Sequence, residues 1–326
     1  VTGAEDDYYY HPLMLPQDFT QTNLAPHWLQ DSGGRSFSES VCFQEALCEH
    51  ALAPKTLTMP EYNAAANYAY HLNAGKFTTF LTKHCTEKLN VKHVLATIND
   101  VKQRENGDID YVVTTANDHL SADLFIDCTG MASLLLGKTL GVEFIDKSDV
   151  LFIDSAMAVQ KPYDSEEEPI LPYTVSTAQD AGWIWDIGLT SRRGIGHVYS
   201  SRHTTDEQAE LALATYVGPR FKDLSVKKIP IRSGHRKEFW KNNCVAIGLA
   251  GGFLEPLEAS ALMLIELSAR FVRDQLPETT STMPIIAKRF NETLTYHWGR
   301  IIDFLKLHYV LSKRDDTAFW LSLIHI

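Results

Sequence analysis

The apolar strand CVAIG (Cys244 to Gly248) runs without a break through a glycine-rich turn into an apolar helix, reading GLAGGFLEPLEASALMLIE from Gly248 to Glu266. A strand, a glycine pair and a helix amino terminus, in that order, leave unpaired backbone N–H groups at the edge of a sheet. Such groups hold an anion or a polarised ring. Two glutamates, Glu255 and Glu258, stand just before the helix.

Other segments supply strands of two kinds. KHVLATINDVKQRENGDIDYVVTTANDHLSADLFIDCTG (Lys92 to Gly130) reads as strands around a tight turn at Asn106-Gly107, a third short strand and then LFID. LFID is the type of short apolar strand that a parallel sheet buries on both faces. Its end carries Asp127, Thr129 and Gly130, where open α/β sheets place their ligands. From Leu151 to Tyr199 the pattern is antiparallel sheet, and Trp183 and Trp185 fall on one face of one strand. Such a pair suits a wall for a planar ligand, but on spacing alone it reads first as ordinary core filling.

Helices complete the outline. Leu72, Phe77, Phe80 and Leu81 recur at helical spacing within Asn67 to Leu89, with Asn73 placed to cap that helix. The stretches LMLIELSARFVRDQL and AKRFNETLTYHWGRIIDFLKLHYVLSKR carry apolar residues three and four apart and should lie against the sheet. Val1 to Pro60 is irregular, with one short helical stretch around Glu39 to His50. The fold class is therefore mixed α/β, with a parallel portion, an antiparallel sheet and a helical layer.

With 326 residues, 44% of them apolar, the chain can bury a large core as one domain or two unequal ones. A net charge of -11 without any basic cluster argues against a nucleic-acid partner. The five cysteines lack C-x-x-C spacing, and those in LFIDCTG and CVAIG read as buried thiols of a reducing compartment. No apolar run approaches the roughly 20 residues that a bilayer requires. The expected address is the cytoplasm, with no membrane contact. His197, His203, His235 and His297 lack H-E-x-x-H or matching carboxylate spacing, so no metal is expected from them. Arg232 and Arg236 read as braces for a strand or as neighbours of a phosphate.

No G-x-G-x-x-G follows a strand anywhere, so the usual pyrophosphate-binding turn is not in this sequence. The chain starts without Met, and its last six residues, Leu321 to Ile326, resemble a translated transposon end. The expectation is an internal fragment, with one partial domain over residues 1–320 and a non-native tail over 321–326.

Four blocks make the resemblance specific: DLFIDCTGM (Asp123 to Met131), AGWIWDIGL (Ala181 to Leu189), NCVAIGLAGGFLEPLEAS (Asn243 to Ser260) and LHYVLSKRDDTAFW (Leu307 to Trp320). In order and separation they resemble the flavin-dependent tryptophan halogenase family, over nearly everything from Tyr8 to Trp320. The resemblance implies a flavin monooxygenase fold of the aromatic-hydroxylase kind, here incomplete. It also implies FAD reduced by a separate flavin reductase, chloride or bromide as co-substrate, and hypohalous acid that passes through a tunnel to a small aromatic substrate. A homodimer is left open.

On that resemblance Glu258 matches the active-site glutamate, while Gly248, Leu249, Gly251, Gly252 and Phe253 match the part that meets the isoalloxazine ring. The amides of Ser260 and Ala261 match the halide site. Trp183 and Trp185 match the partition between flavin and substrate chambers. Glu255 reads as a supporting or capping residue. The bland reading of Glu258 is a carboxylate placed to meet a helix dipole. His11 reads as a pocket wall or as a surface stacking residue.

Two departures stand out. Glu258-Ala259-Ser260-Ala261 replaces the family's Glu-Ser-Thr-Gly, which removes a hydroxyl and restricts the turn if a positive φ is needed there. Gly188 replaces the proline that closes the double-tryptophan block. The family's catalytic lysine and dinucleotide turn are absent from this sequence, and Lys76, on a helix flank, is no substitute. Alternatives are a flavin-dependent aromatic hydroxylase or epoxidase, and a non-catalytic flavin-binding remnant. The isolated fragment is expected to be poorly soluble and to retain little flavin.

Overall fold

The computed structural model describes residues 8–324. Its largest sheet is five-stranded and antiparallel, in the order Lys227–Pro230, Ser155–Pro162, Arg192–Tyr199, Gly182–Gly188 and Val175–Gln179. Alternation along Gly182–Gly188 sends Ile184 to one face and both tryptophans to the other. On the first face Ile184, Ile195 and Tyr199 pack with Leu213 of the helix Asp206–Val217. Thr205 and Gln208 form a capping box that starts this helix. On the second face Trp183 and Val198 pack with Tyr309, Phe319 and Trp320. The tryptophan face is thus roofed by the carboxy-terminal part of the chain.

The parallel portion is small. Phe125–Asp127 runs parallel to Cys244–Ala246, which pairs in turn with Trp240–Lys241. Asp127 is fully buried, and its carboxylate accepts N–H groups of Thr129, Leu135 and Leu136. It is committed to holding the turn after the strand. Burial on both faces, expected for LFID, does not hold: Ile126 is 41% exposed, because no described element covers the side it faces. For a related reason Cys128, one residue beyond the strand, is exposed, whereas Cys244 is buried. The expected hairpin is present over Ile98–Gln103 and Ile109–Thr114, with only Gly107 of the turn pair at positive φ.

The long helix Met283–Val310 organises the rest. Its 28 residues reach roughly 42 Å at 1.5 Å per residue. Phe290, Leu294, Trp298, Ile301, Ile302 and Leu305 form a buried stripe against Leu151, Phe239, Trp240 and Leu254. That stripe continues to Tyr309 and brings the last turn beside the glycine-rich segment. Asn291 fixes the helix from the side: its Oδ1 accepts the N–H groups of Phe239 and Trp240, both at 2.8 Å, and its Nδ2 donates to Trp240 O.

The amino-terminal third is mostly irregular, with short helices at Ala25–Gln30, Phe37–Val41 and Gln44–Glu49. Asn73 caps the helix Ala74–Lys88 by accepting from Lys76 N, as its position suggested. The apolar face of that helix is unpacked among the described residues: Phe77, Phe80 and Leu81 are all exposed. Periodicity specified a helix there, and no described element lies against it. At the other end Leu321 and Ser322 continue the helix Ala318–Ile324, and Leu323 is buried. The final two residues lie outside the described range.

Replacing Asn291 with Ala should destabilise the fold by roughly 2 kcal/mol or more, since two backbone donors lose their acceptor. Denaturant unfolding of the two proteins checks this, and equal midpoints would contradict it.

Candidate active site

The glycine-rich segment begins at the end of the strand Cys244–Ala246, where Gly248 takes a φ of +69° into a short 3-10 turn over Gly248–Ala250. Gly252 and Phe253 then pair with His235 and Gly234. A Cβ on Gly252 would lie 2.5 Å from Gly234 O and 2.7 Å from both His235 Cα and the Trp298 ring, so only glycine fits. The segment borders a cavity lined by Gly248, Leu249, Gly251, Gly252 and Phe253 on one side and by Ser260 and Ala261 on another, with Phe239, Leu264, Ile265 and Trp298 between. The first N–H groups of the helix Ser260–Asp274 have no side-chain cap. A mostly apolar lining that includes the uncapped start of a helix suits a flat apolar ring with a polar rim.

The Trp183 indole, 5% exposed, belongs to a core cluster against which Phe253 and Leu257 pack, and it lies 6.4 Å from the Trp185 ring, centroid to centroid. Its Nε1 donates to Glu255 Oε2 at 3.0 Å, and the Tyr309 hydroxyl donates to the same oxygen. Glu255 caps no helix; it ties the tryptophan strand, the glycine-rich loop and the long helix to one buried carboxyl. Burial pushes its pKa up against the opposing effect of those two donors, and it raises the Tyr309 hydroxyl further. Trp185 sits over Gly196, where a Cβ would come within 2.1 Å of the indole.

Glu258 lies three residues on, at a kink with φ 63° and ψ 13°. It is held from two directions: His308 Nε2 meets Oε1 at 2.9 Å, and His11 Nδ1 meets Oε2 at 2.5 Å. The Phe304 ring lies edge-on to both imidazoles. Burial by itself would raise the Glu258 carboxyl, but the hydrogen bonds from His11 and His308 outweigh it and bring its pKa to about 2. Both histidines are shifted up by their bond to Glu258, against the effect of burial. Their donor atoms lie within 4.8 Å of one another, and the two contacts to Glu258 are hydrogen-bond distances. Glu258, His11, His308 and Trp183 do not line the glycine cavity.

Comparison with known proteins identifies the family. The chain matches the family described as tryptophan halogenase over residues 3–325. The chain belongs to that family. It is 35% identical to tryptophan 6-halogenase SttH of Streptomyces toxytricini, over 96% of this chain and 64% of that protein. It is 33% identical to tryptophan 7-halogenase RebH of Lentzea aerocolonigenes, over 96% of this chain and 59% of that protein. The crystal structure of a tryptophan halogenase from Shewanella frigidimarina superposes with a TM-score of 0.92 at 46% identity, covering 95% of this chain and 60% of that one. The fold is therefore the FAD-dependent aromatic-hydroxylase-like fold of these halogenases, and the chain spans about three fifths of their length.

Both halogenase-family departures have structural readings. The missing glycine does not strain the turn, because Ala261 is helical and the positive φ values fall at Glu258 (63°) and Ala259 (50°). At Gly188 a Cβ would meet Ile170 at 3.1 Å and the Tyr163 hydroxyl at 3.2 Å, so side chains already fill the space a proline ring would need. Sequence reasoning passed over His308. Its neighbour Tyr309 belongs to the apolar stripe of the long helix, and that periodicity was the available signal. His11 joins Glu258. Lys76 is exposed, and among the other histidines His197 is buried with Nδ1 donating to Ala209 O. Arg236 braces the small sheet by donating to Val142 O, and Arg232 lies 4.1 Å from the Phe144 ring centre.

The sign of the pH dependence follows. Glu258, lowered from 4.5 to about 2, stabilises the fold above pH 4.5, and this is lost as pH falls toward 2. The raised histidines stabilise it below 6.5, and this is lost as pH rises through their folded values. Glu258→Gln should therefore flatten the stability profile on both sides of the window between 4.5 and 6.5, as read by thermal unfolding against pH. An unchanged profile would contradict the trio. Ala259→Gly should relieve left-handed strain of about 1–2 kcal/mol against about 0.5–1 kcal/mol of added chain entropy. A small net gain in unfolding free energy is expected, and a loss would show that the kink is not strained.

Proposed function

We propose that a protein of family length carrying this sequence is a flavin-dependent halogenase acting on tryptophan, an indole or a related electron-rich arene. The observation that carries this reading is the separation along one short segment. Gly248, Leu249, Gly251, Gly252 and Phe253 border the apolar cavity, Phe253 and Leu257 pack on the core cluster that contains Trp183, and Glu258, next in the chain after Leu257, is bound by two histidines away from that cavity. That order suits chemistry in which the oxidant forms on one side of an aromatic wall and the substrate waits on the other.

The cavity residues fit the ring end of FAD: backbone approaches where Gly252 tolerates no Cβ, apolar walls take a flat ring, and helix amides offer donors. When bound, reduced flavin with oxygen and a halide supplies an electrophilic halogen. The amides of Ser260 and Ala261 would hold chloride or bromide without a full positive charge. Trp183 and Trp185 would exclude the arene from the flavin side. Glu258, kept ionised by its two histidines, would take the proton lost from the arene carbon as the C–H bonding pair returns to the ring. Reducing equivalents would come from a diffusing flavin reductase.

The similar proteins SttH and RebH are named for the 6 and 7 positions of tryptophan, and here the position of attack would be set by the side chains that orient the arene. Incubating the family-length protein with a flavin reductase, FAD, oxygen, bromide and tryptophan or indole should give a product with the bromine isotope pattern. Glu258→Gln should lower kcat by roughly 100-fold to 10,000-fold with flavin binding intact. A hydroxylated product formed equally well without halide would favour the aromatic hydroxylase instead.

A further inference from the structure

We propose that His308 is a positioning residue for Glu258, an imidazolium that holds one carboxylate oxygen and keeps the group ionised and aimed. The proposal rests on the halogenase reading for its kinetic consequence, but its geometry stands independently. His308 Nδ1 faces the carbonyl of Phe304 at 2.9 Å, and Nε2 faces Glu258 Oε1 at 2.9 Å. A carbonyl and an ionised carboxylate only accept, so both ring nitrogens donate, and a ring that donates twice is the cation.

Helix geometry supports both charges. His308 lies in the last turn of the helix Met283–Val310, where the dipole favours a cation. Glu258 stands two residues before the uncapped start of the helix Ser260–Asp274, where the dipole favours an anion. The pair therefore joins a negative helix end to a positive one. It also acts where the backbone alone cannot hold direction, since Glu258 sits in a left-handed kink outside any α-helix.

The two histidines are not equivalent. His11 comes from an irregular segment and its side chain is 46% exposed, whereas that of His308 is 14% exposed on a long packed helix. Other groups facing the pair are Tyr9, which senses Glu258, and Glu255, which faces His308 and is itself near Lys306. Among the described residues, Glu258 is the one whose side chain bonds the His308 ring. The long helix is thus the rigid arm and His308 its contact point.

Two measurements on the family-length protein test this. Ring nitrogen NMR should show His308 doubly protonated at pH values where an ordinary histidine has lost its proton, and Glu258→Gln should return it to ordinary titration. In halogenation, His308→Phe should lower kcat about 100-fold with KM changed little and should move the acidic limb of the kcat profile to higher pH. His308→Gln, which keeps a donor without the charge, should recover part of kcat while leaving that limb displaced. A singly protonated His308 that ignores Glu258→Gln would overturn the proposal, as would a His308→Phe enzyme with unchanged kcat and pH profile. Because the NMR readout needs no turnover, a doubly protonated His308 in a protein that does not halogenate would remove the functional reading and leave the ion pair standing.

Discussion

Much of this architecture converges on one buried carboxyl. Glu255 accepts from the indole of Trp183 and from the hydroxyl of Tyr309, and so it joins the five-stranded sheet, the glycine-rich loop and the long helix. An acid with no solvent contact is costly unless it is hydrogen-bonded, and the cost is reduced further when the proton stays on. Its raised pKa has that sign. The position of the Trp183 indole is thereby coupled to the geometry that places the last turn of the long helix beside Glu258. Moving one of these elements would leave a buried polar group unpaired.

The two glutamates three residues apart show how environment divides identical side chains. Glu255 is enclosed, with its pKa raised by burial, and structural in its contacts; Glu258 is partly exposed, with its pKa lowered, and bound by two imidazoles. The left-handed kink at Glu258 and Ala259 turns the second away from the direction of the first. Strain of this sort persists where surrounding contacts over-determine the backbone, and here the Glu255 bonds on one side and the helix Ser260–Asp274 on the other do so. The glycine that the family places at position 261 is not what makes the turn.

Much of this was legible in the sequence, for identifiable reasons. The antiparallel sheet and the shared face of Trp183 and Trp185 follow from a period of two, and the Asn106-Gly107 hairpin and the Asn73 cap follow from local turn and capping chemistry. The long helix followed from its stripe. What stayed hidden depends on contacts far apart in the chain. His11 and His308 are separated by nearly the whole sequence, and no spacing rule brings them to Glu258; His308 arrives on the packed long helix and His11 on an irregular amino-terminal segment. Ile126 and Cys128 are more exposed than their apolar pattern implies, because such a pattern reports a preference for cover and not which element supplies it.

In the proposed function Trp183 separates a flavin-binding cavity from a substrate site built around Glu258. A crystal structure of the family-length protein with both FAD and an indole substrate checks this. The isoalloxazine ring is expected against residues 248–253, the indole beside Glu258, and the Trp183 and Trp185 side chains between them. Flavin and indole in direct contact within a single chamber, with Trp183 behind both, would contradict it.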